Sequence, residues 1–169
     1  MNDLSDKESA GELIQYIVIR LGEEQFGIDI RFVDNIVRMQ QITRVPKVQH
    51  YLKGVINIRG EIVPVMSLRL IMDMNADEYT GKTRIIIVKM TGGDLIGFIV
   101  DQVDHVLTLD SNNIERVHRD DSKKHGEFLS GVGKYEGGLV SILDLNTLEL
   151  ESLESRDKER DKQLLSIAD

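Results

Sequence analysis

The sequence predicts a mainly β protein built from two copies of one small barrel or curled sheet, and three observations carry that expectation. Apolar residues fall in short runs rich in Val and Ile, glycine-containing turns separate those runs, and a set of glycines, valines and leucines recurs at a fixed spacing. Short β-branched runs bounded by turn residues are the signal of strands and hairpins, whereas a helix would space its apolar residues three and four apart over a longer stretch.

Strands are expected over 13–20, 25–30, 55–59, 61–66, 83–90, 95–101, 129–135 and 138–142, most neighbours pairing as hairpins. Gly22 follows the first strand, Gly92, Gly93 and Asp94 separate the fifth from the sixth, and Gly137 and Gly138 divide the last two. Glycine supplies the positive φ that such turns require. Pro64 cannot donate to a ladder, which predicts an edge position or a bulge for its strand, and Pro46 falls in a loop. The repeat is the more informative feature. Gly22, Gly27, Val33 and Asp34 recur 70 residues later as Gly92, Gly97, Val103 and Asp104, and Val18 recurs as Val88. Leu52, Gly54, Val55, Gly60, Val63 and Leu68 recur 77 residues later as Leu129, Gly131, Val132, Gly137, Val140 and Leu145. Two copies are too few for a solenoid. The polar stretch 110–127 reads as an exposed loop, and a helix is expected from Asp144 onward. The segment 149–169 alternates acids and bases, which predicts a solvated helix or tail.

Composition bounds the function. A chain of 169 residues, 41% of them hydrophobic, suffices for one packed domain or two small lobes sharing a core. Its formal charge of −8 repels nucleic acid, so the expected partners are proteins. No apolar run approaches the roughly 20 residues of a membrane helix. Residues 1–10 carry Asp3, Asp6 and Glu8 in place of a basic, apolar secretory leader, so a cytoplasmic location is expected. The absence of cysteine excludes disulfides, Cys-ligated metal and a thiol nucleophile.

A search for chemistry nominates no catalytic group, cofactor or metal. His50, His105, His118 and His125 lie in separate segments without ligand spacing. Gly81, Lys82 and Thr83 resemble the end of a phosphate loop, but Ala76 stands where its first glycine belongs and a strand follows. Asp110, Asn112 and Asn113 begin like a calcium loop whose turn glycine and closing glutamate are misplaced, so a capped loop is expected. There is no Gly-x-Ser-x-Gly elbow. The chain reads as a non-enzyme.

The run Gly54-Val55-Ile56-Asn57-Ile58-Arg59-Gly60-Glu61-Ile62-Val63-Pro64-Val65 closely resembles the signature hairpin of the CheW-like domain family, and Phe26-Gly27-Ile28-Asp29-Ile30 with Val33 and Asp34 resembles that family's start. The resemblance extends from about Leu13 to about Leu150. It implies two five-stranded SH3-like barrels around a shared core, interleaved at their ends. The implied layout is a polar tail 1–12, a domain 13–150 with halves near 13–80 and 81–150, and a charged tail 151–169. It further implies a free-standing adaptor that couples the cytoplasmic tip of chemoreceptors to the regulatory domain of the CheA histidine kinase and joins other CheW-like domains in rings. Two alternatives stay open: the same role in a pilus-motility or other chemosensory pathway, and a small ligand-binding barrel or enzyme with a polar pocket between the lobes.

Taken alone, Arg59 is a solvated hairpin charge; the resemblance places it, with Asn57 and Gly60, near the receptor and kinase contacts. Some relatives pair that arginine with a glutamate where this chain has Asn35, whose carbonyl oxygen or the neighbouring Asp34 is the expected substitute. Ser67 stands where relatives often carry Asp, which the second copy retains as Asp144. Val33 and Val106 are apolar contact candidates, with burial in a barrel core as the competing expectation.

Overall fold

The computed structural model describes residues 11–117 and 126–168. The first strands are β1 (Leu13–Leu21), β2 (Glu24–Asp29), β3 (Val33–Arg38), β4 (Leu52–Ile58) and β5 (Glu61–Ser67), followed by the short helix α1 (Leu68–Ile71). Then come β6 (Arg84–Lys89), β7 (Leu95–Val100), β8 (Gln102–Asp110), β9 (Ile114–Arg116), β10 (Leu129–Tyr135), β11 (Gly138–Leu143) and the helix α2 (Leu150–Ala168). One sheet has the order β8-β1-β2-β11-β10-β9, the other β3-β6-β7-β5-β4. The hairpin that opens each half thus contributes its strands to the sheet that is otherwise built by the other half.

Alternation along the strands produces three apolar clusters. Tyr16 and Val18 of β1 pack with Leu109, Val140 and Ile142 inside the six-stranded sheet. Ile85 and Ile87 of β6 pack with Ile56, Val63, Val65 and Ile99 inside the five-stranded one. The opposite faces, Ile17, Ile19 and Leu21 on β1 and Ile86 and Val88 on β6, meet in a third cluster that draws on both sheets. Strands buried on both faces explain why β1 and β6 read as nearly continuous apolar runs.

The repeat is expressed at close approaches of backbone. Gly27 faces Ile142 and Gly97 faces Val65, each across a parallel pairing. A Cβ on Gly97 would come within 2.8 Å of Ile85, and one on Gly27 within 3.0 Å of Ile142. The expected match of Val18 with Val88 is off by one residue. Val18 pairs with Gly27 while Ile87 pairs with Gly97, so Ile87 is the structural counterpart of Val18. The second hairpin's loop is one residue longer, and a one-residue slip moves a side chain to the other face.

Pro64 is not at an edge, but the expected alternative of a bulge lies beside it, where the β4–β5 register shifts between Leu52 and Gly54, opposite Met66 and Val65. Strand β5 lies between β7 and β4, and its ladder to β7 starts at Val65, so the missing amide sits just before that ladder begins. Part of 110–127 is structured: Asp110 caps a 3₁₀ turn by accepting from the Asn112 amide (2.9 Å), and β9 follows and pairs with β10. His118 and His125 lie outside the described residues. The C-terminal segment is a helix whose first half is packed instead of solvated. Leu153 is buried, Tyr51 Oη donates to Asp157 (3.1 Å), and Arg156 pairs with Glu127 (2.7 Å) while lying over the Phe128 ring. Beyond it Leu164 and Leu165 are exposed, as expected of a solvated end.

Candidate functional site

The turn that joins β4 to β5 is two residues long, because Ile58 pairs with Glu61. Its residues, Arg59 (φ 51°) and Gly60 (φ 86°), both lie in the left-handed region, the geometry of a type I′ hairpin. Asparagine or glycine adopts that conformation at little cost; arginine does not. Asn57 makes the turn rigid, its Oδ1 accepting from the Gly60 amide at 2.9 Å. Arg59 is exposed and makes no ion pair with any described residue.

Folding brings Arg59 beside Asp34 of β3, although 25 residues separate them in the chain. Together with Glu61, Lys89, Gly93 and Leu95 they line a shallow cleft of about 280 Å3. Asp34 does not replace the glutamate of relatives, because no ion pair joins it to Arg59. Neither does Asn35: its Oδ1 accepts from the Ile36 amide next door (2.9 Å). Among the described residues the Arg59 guanidinium therefore has no ion-pair partner, although the Asp34 and Glu61 carboxylates line the same cleft.

The apolar candidates separate. Val33 is half-buried and packs on the cluster shared by the two sheets. Val106 is 53% exposed on β8, an edge strand of the six-stranded sheet, opposite Ile17. Lys89 and Glu61 of the cleft were not singled out from the sequence, and neither was Ile62, which is 65% exposed beside the hairpin tip. A signal for Ile62 existed. It is an apolar residue on the outward face of a strand, and its repeat counterpart Leu139 is likewise 60% exposed.

Behind the hairpin the chain is held by polar groups. The Ser67 hydroxyl caps α1 by accepting from the Leu70 amide (3.2 Å), and it donates in turn to Asp77. Asp144 caps the matching 3₁₀ turn of the second half directly, accepting from the Asn146 amide (3.1 Å). The carboxylate missing at Ser67 is thus supplied from Asp77. Burial pushes the Asp77 carboxyl above its ordinary pKa, with the Ser67 hydrogen bond opposing. Arg69 makes a two-pronged pair with Asp101 (Nε–Oδ1 2.7 Å, Nη2–Oδ2 2.6 Å), and Asp101 also accepts from the Gly22 amide. Those bonds, with Arg69 first, hold the Asp101 carboxyl below the usual carboxylate range against the effect of burial.

Among the described residues no group of three His, Asp, Glu or Cys could hold a metal ion, and no helix is long and apolar enough to cross a membrane. The Gly81-Lys82-Thr83 segment closes a turn in which Thr83 Oγ1 accepts from the Thr80 amide (2.9 Å), and it leads into β6.

Comparison with known proteins agrees with this architecture. The family model described as CheW-like domain matches residues 15–151. The chain is 32% identical over 148 residues to "Chemotaxis protein CheW" of Thermotoga maritima, covering 88% of this chain and 93% of that protein. It is 34% identical over 140 residues to the protein of the same name from Bacillus subtilis, covering 82% and 89%. Among solved structures it resembles the scaffolding protein TtCheW from Thermoanaerobacter tengcongensis, with a TM-score of 0.74, 30% identity, and coverage of 85% of this chain and 93% of that one. A hairpin signature, an interleaved pair of sheets and a match across residues 15–151 lead to one assignment: the chain belongs to the CheW-like domain family.

Proposed function

We propose that this chain is a non-catalytic adaptor of chemotaxis signalling, which couples the cytoplasmic tip of chemoreceptors to the CheA histidine kinase. The observation that carries the proposal is the family match over residues 15–151, shared with relatives named as chemotaxis proteins, which includes a hairpin whose arginine makes no ion pair with any described residue. Arg59 is the primary contact, with Asn57 and Gly60 fixing its presentation and Asp34, Asn35 and Val33 forming the adjoining wall. A planar guanidinium offers two parallel donors to a carboxylate or carbonyl, which a lysine ammonium does not. Val106 contributes apolar area on the six-stranded sheet.

Two sheets packed on a shared core make a rigid body, so two surfaces keep a fixed relation. Signal then passes as a shift of the kinase's equilibrium, and this chain performs no bond chemistry. Ile62 and Leu139, exposed at matching positions of the two hairpins, suit a further role. Barrel ends related by internal symmetry can meet the similar regulatory domain of the kinase, or other CheW-like domains, head to tail and close into rings. The working location is the cytoplasm.

The test is reconstitution from purified parts: this chain, a receptor cytoplasmic fragment and the kinase's regulatory domain, analysed by co-sedimentation and pull-down. Binding to both is expected. Binding to neither would overturn the adaptor reading, and turnover of a nucleotide by the chain alone would overturn its non-catalytic part.

A further inference from the structure

Residues 35–60 contain Arg38, Arg44, Lys47, Lys53 and Arg59 and no aspartate or glutamate. The stretch carries a formal charge of +5 in a chain whose total is −8, which leaves −13 for the rest. Folding gathers three of these cations at one place. The connection from β3 to β4 curls around an open groove of about 900 Å3, whose lining includes Arg44, Lys47, Lys53, His50, Val48 and Tyr79. No carboxylate is among the described lining residues. None of the three cations pairs with a described carboxylate, whereas Arg20, Arg31, Arg69, Arg156 and Arg160 each do.

Two further features favour an occupied groove over a merely solvated one. Tyr79 and Val48 are exposed, by 53% and 37%, and add apolar surface to the basic wall. Lys47, directly after Pro46, has φ 59°. A turn with proline ahead of a left-handed residue suits glycine or asparagine at the second place, so lysine there is held against the backbone's preference. Such strain concentrates at ligand clamps and contact surfaces.

We propose that this groove docks an acidic protein segment, its carboxylates meeting Arg44, Lys47 and Lys53 and one apolar side chain resting against Val48 and Tyr79. A peptide suits it better than an extended polyanion. The basic wall is confined to one loop, while the rest of the chain repels a DNA duplex or an anionic bilayer. The surface differs from the Arg59 cleft, with which it shares no lining residue.

The test titrates the full chain with a short synthetic peptide in which Glu and Asp flank one Phe, following backbone amides by NMR at low and physiological salt. Shifts confined to residues 39–53 and Tyr79 are expected, with affinity falling as salt rises. The triple variant Arg44→Glu, Lys47→Glu, Lys53→Glu should bind roughly tenfold more weakly or worse. Lys47→Asn tolerates the left-handed turn, so its fold should persist while binding weakens severalfold; it keeps the test valid if the triple variant misfolds. Any of four results overturns the proposal: no binding, or shifts elsewhere; equal binding of a peptide with Lys in place of the acids; tighter binding of a DNA oligonucleotide or a phosphatidylserine vesicle; or tighter peptide binding once Asp3, Asp6 and Glu8 are neutralised, which would make the chain's own N-terminal acids the occupant.

Discussion

The β4–β5 and β10–β11 hairpins are copies of one element whose buried positions agree and whose tips do not. Val63 and Val65 match Val140 and Ile142 inside their sheets, and Gly54 matches Gly131, each where another segment passes close to its backbone, the bridge residue Thr43 at Gly54 and Glu115 of β9 at Gly131. At the tips, Arg59 answers to Glu136. Arg59 sits in the left-handed region without an ion pair to any described residue, whereas Glu136 does not have positive φ, and the neighbouring Tyr135 is tied to Gln25 by a hydrogen bond of 2.6 Å. Packing preserves the interior of a duplicated unit because any change of shape is felt there; the tips are free to diverge. The copy whose tip arginine has a left-handed backbone and no ion pair to a described residue is the one we propose for contact.

The largest difference between the two hairpins is expected at the close approaches to Gly54 and Gly131. A Cβ on Gly54, whose φ is 146°, would collide with the Thr43 carbonyl oxygen, so Gly54→Ala should cost on the order of 3 kcal/mol. At Gly131 the Cβ would approach the Glu115 carbonyl to 2.7 Å, but the backbone there lies outside the left-handed region, so Gly131→Ala should cost less, about 1–2 kcal/mol. Urea denaturation of both variants measures the difference; equal costs would mean that the two close approaches are interchangeable.

A smaller effect separates the anchors behind the hairpins. After the first, Arg69 grips Asp101; at the matching place after the second, Asn146 accepts from Thr91 (3.0 Å), a neutral bond. Arg69→Met should destabilise by about 2 kcal/mol near neutral pH. Because the folded Asp101 carboxyl titrates below its unfolded value, its contribution is present above about pH 4 and is lost as pH falls through the folded pKa. The gap between wild type and Arg69→Met should therefore close on acidification. Asp77 has the opposite sign: raised in the fold, it gives stability as pH falls through the window above its ordinary pKa. Asp77→Asn should narrow that gain, read from melting temperatures across pH 3 to about 7.

The mildest effect is conformational. Arg59→Gly should raise stability by about 0.5–1 kcal/mol by relieving the left-handed backbone, while Glu136→Gly should not. Equal responses in differential scanning calorimetry would remove the claim that only the first tip is strained.

The four hairpins were legible in the sequence because their strands are doubly buried or alternate cleanly and their turns carry glycine. Strands β3 and β8 were not: Asp34 and Asn35 interrupt the first and Asp104 and His105 the second, and each pairs with a strand of the other half, so no local turn announces them. The signature hairpin was visible as a pattern, but the left-handed φ of Arg59 and the removal of Asn35 from its reach depend on side-chain directions that the pattern does not carry. Ser67 read as a departure because its compensating carboxylate, Asp77, lies in the loop beyond α1.

The most direct measurement is the dissociation constant for the receptor fragment and for the kinase's regulatory domain, with melting temperature alongside, for wild type, Arg59→Ala, Arg59→Lys and Glu136→Ala. Arg59→Ala is expected to lose roughly 2 kcal/mol of binding, about thirtyfold, with stability changed by no more than about 0.5 kcal/mol. Lys should restore only part of the affinity, and Glu136→Ala should match wild type to within a few fold. Unchanged affinity of Arg59→Ala for both partners would leave Arg59 a solvated turn charge and overturn its role as the primary contact; a large fall in melting temperature would make it a structural residue.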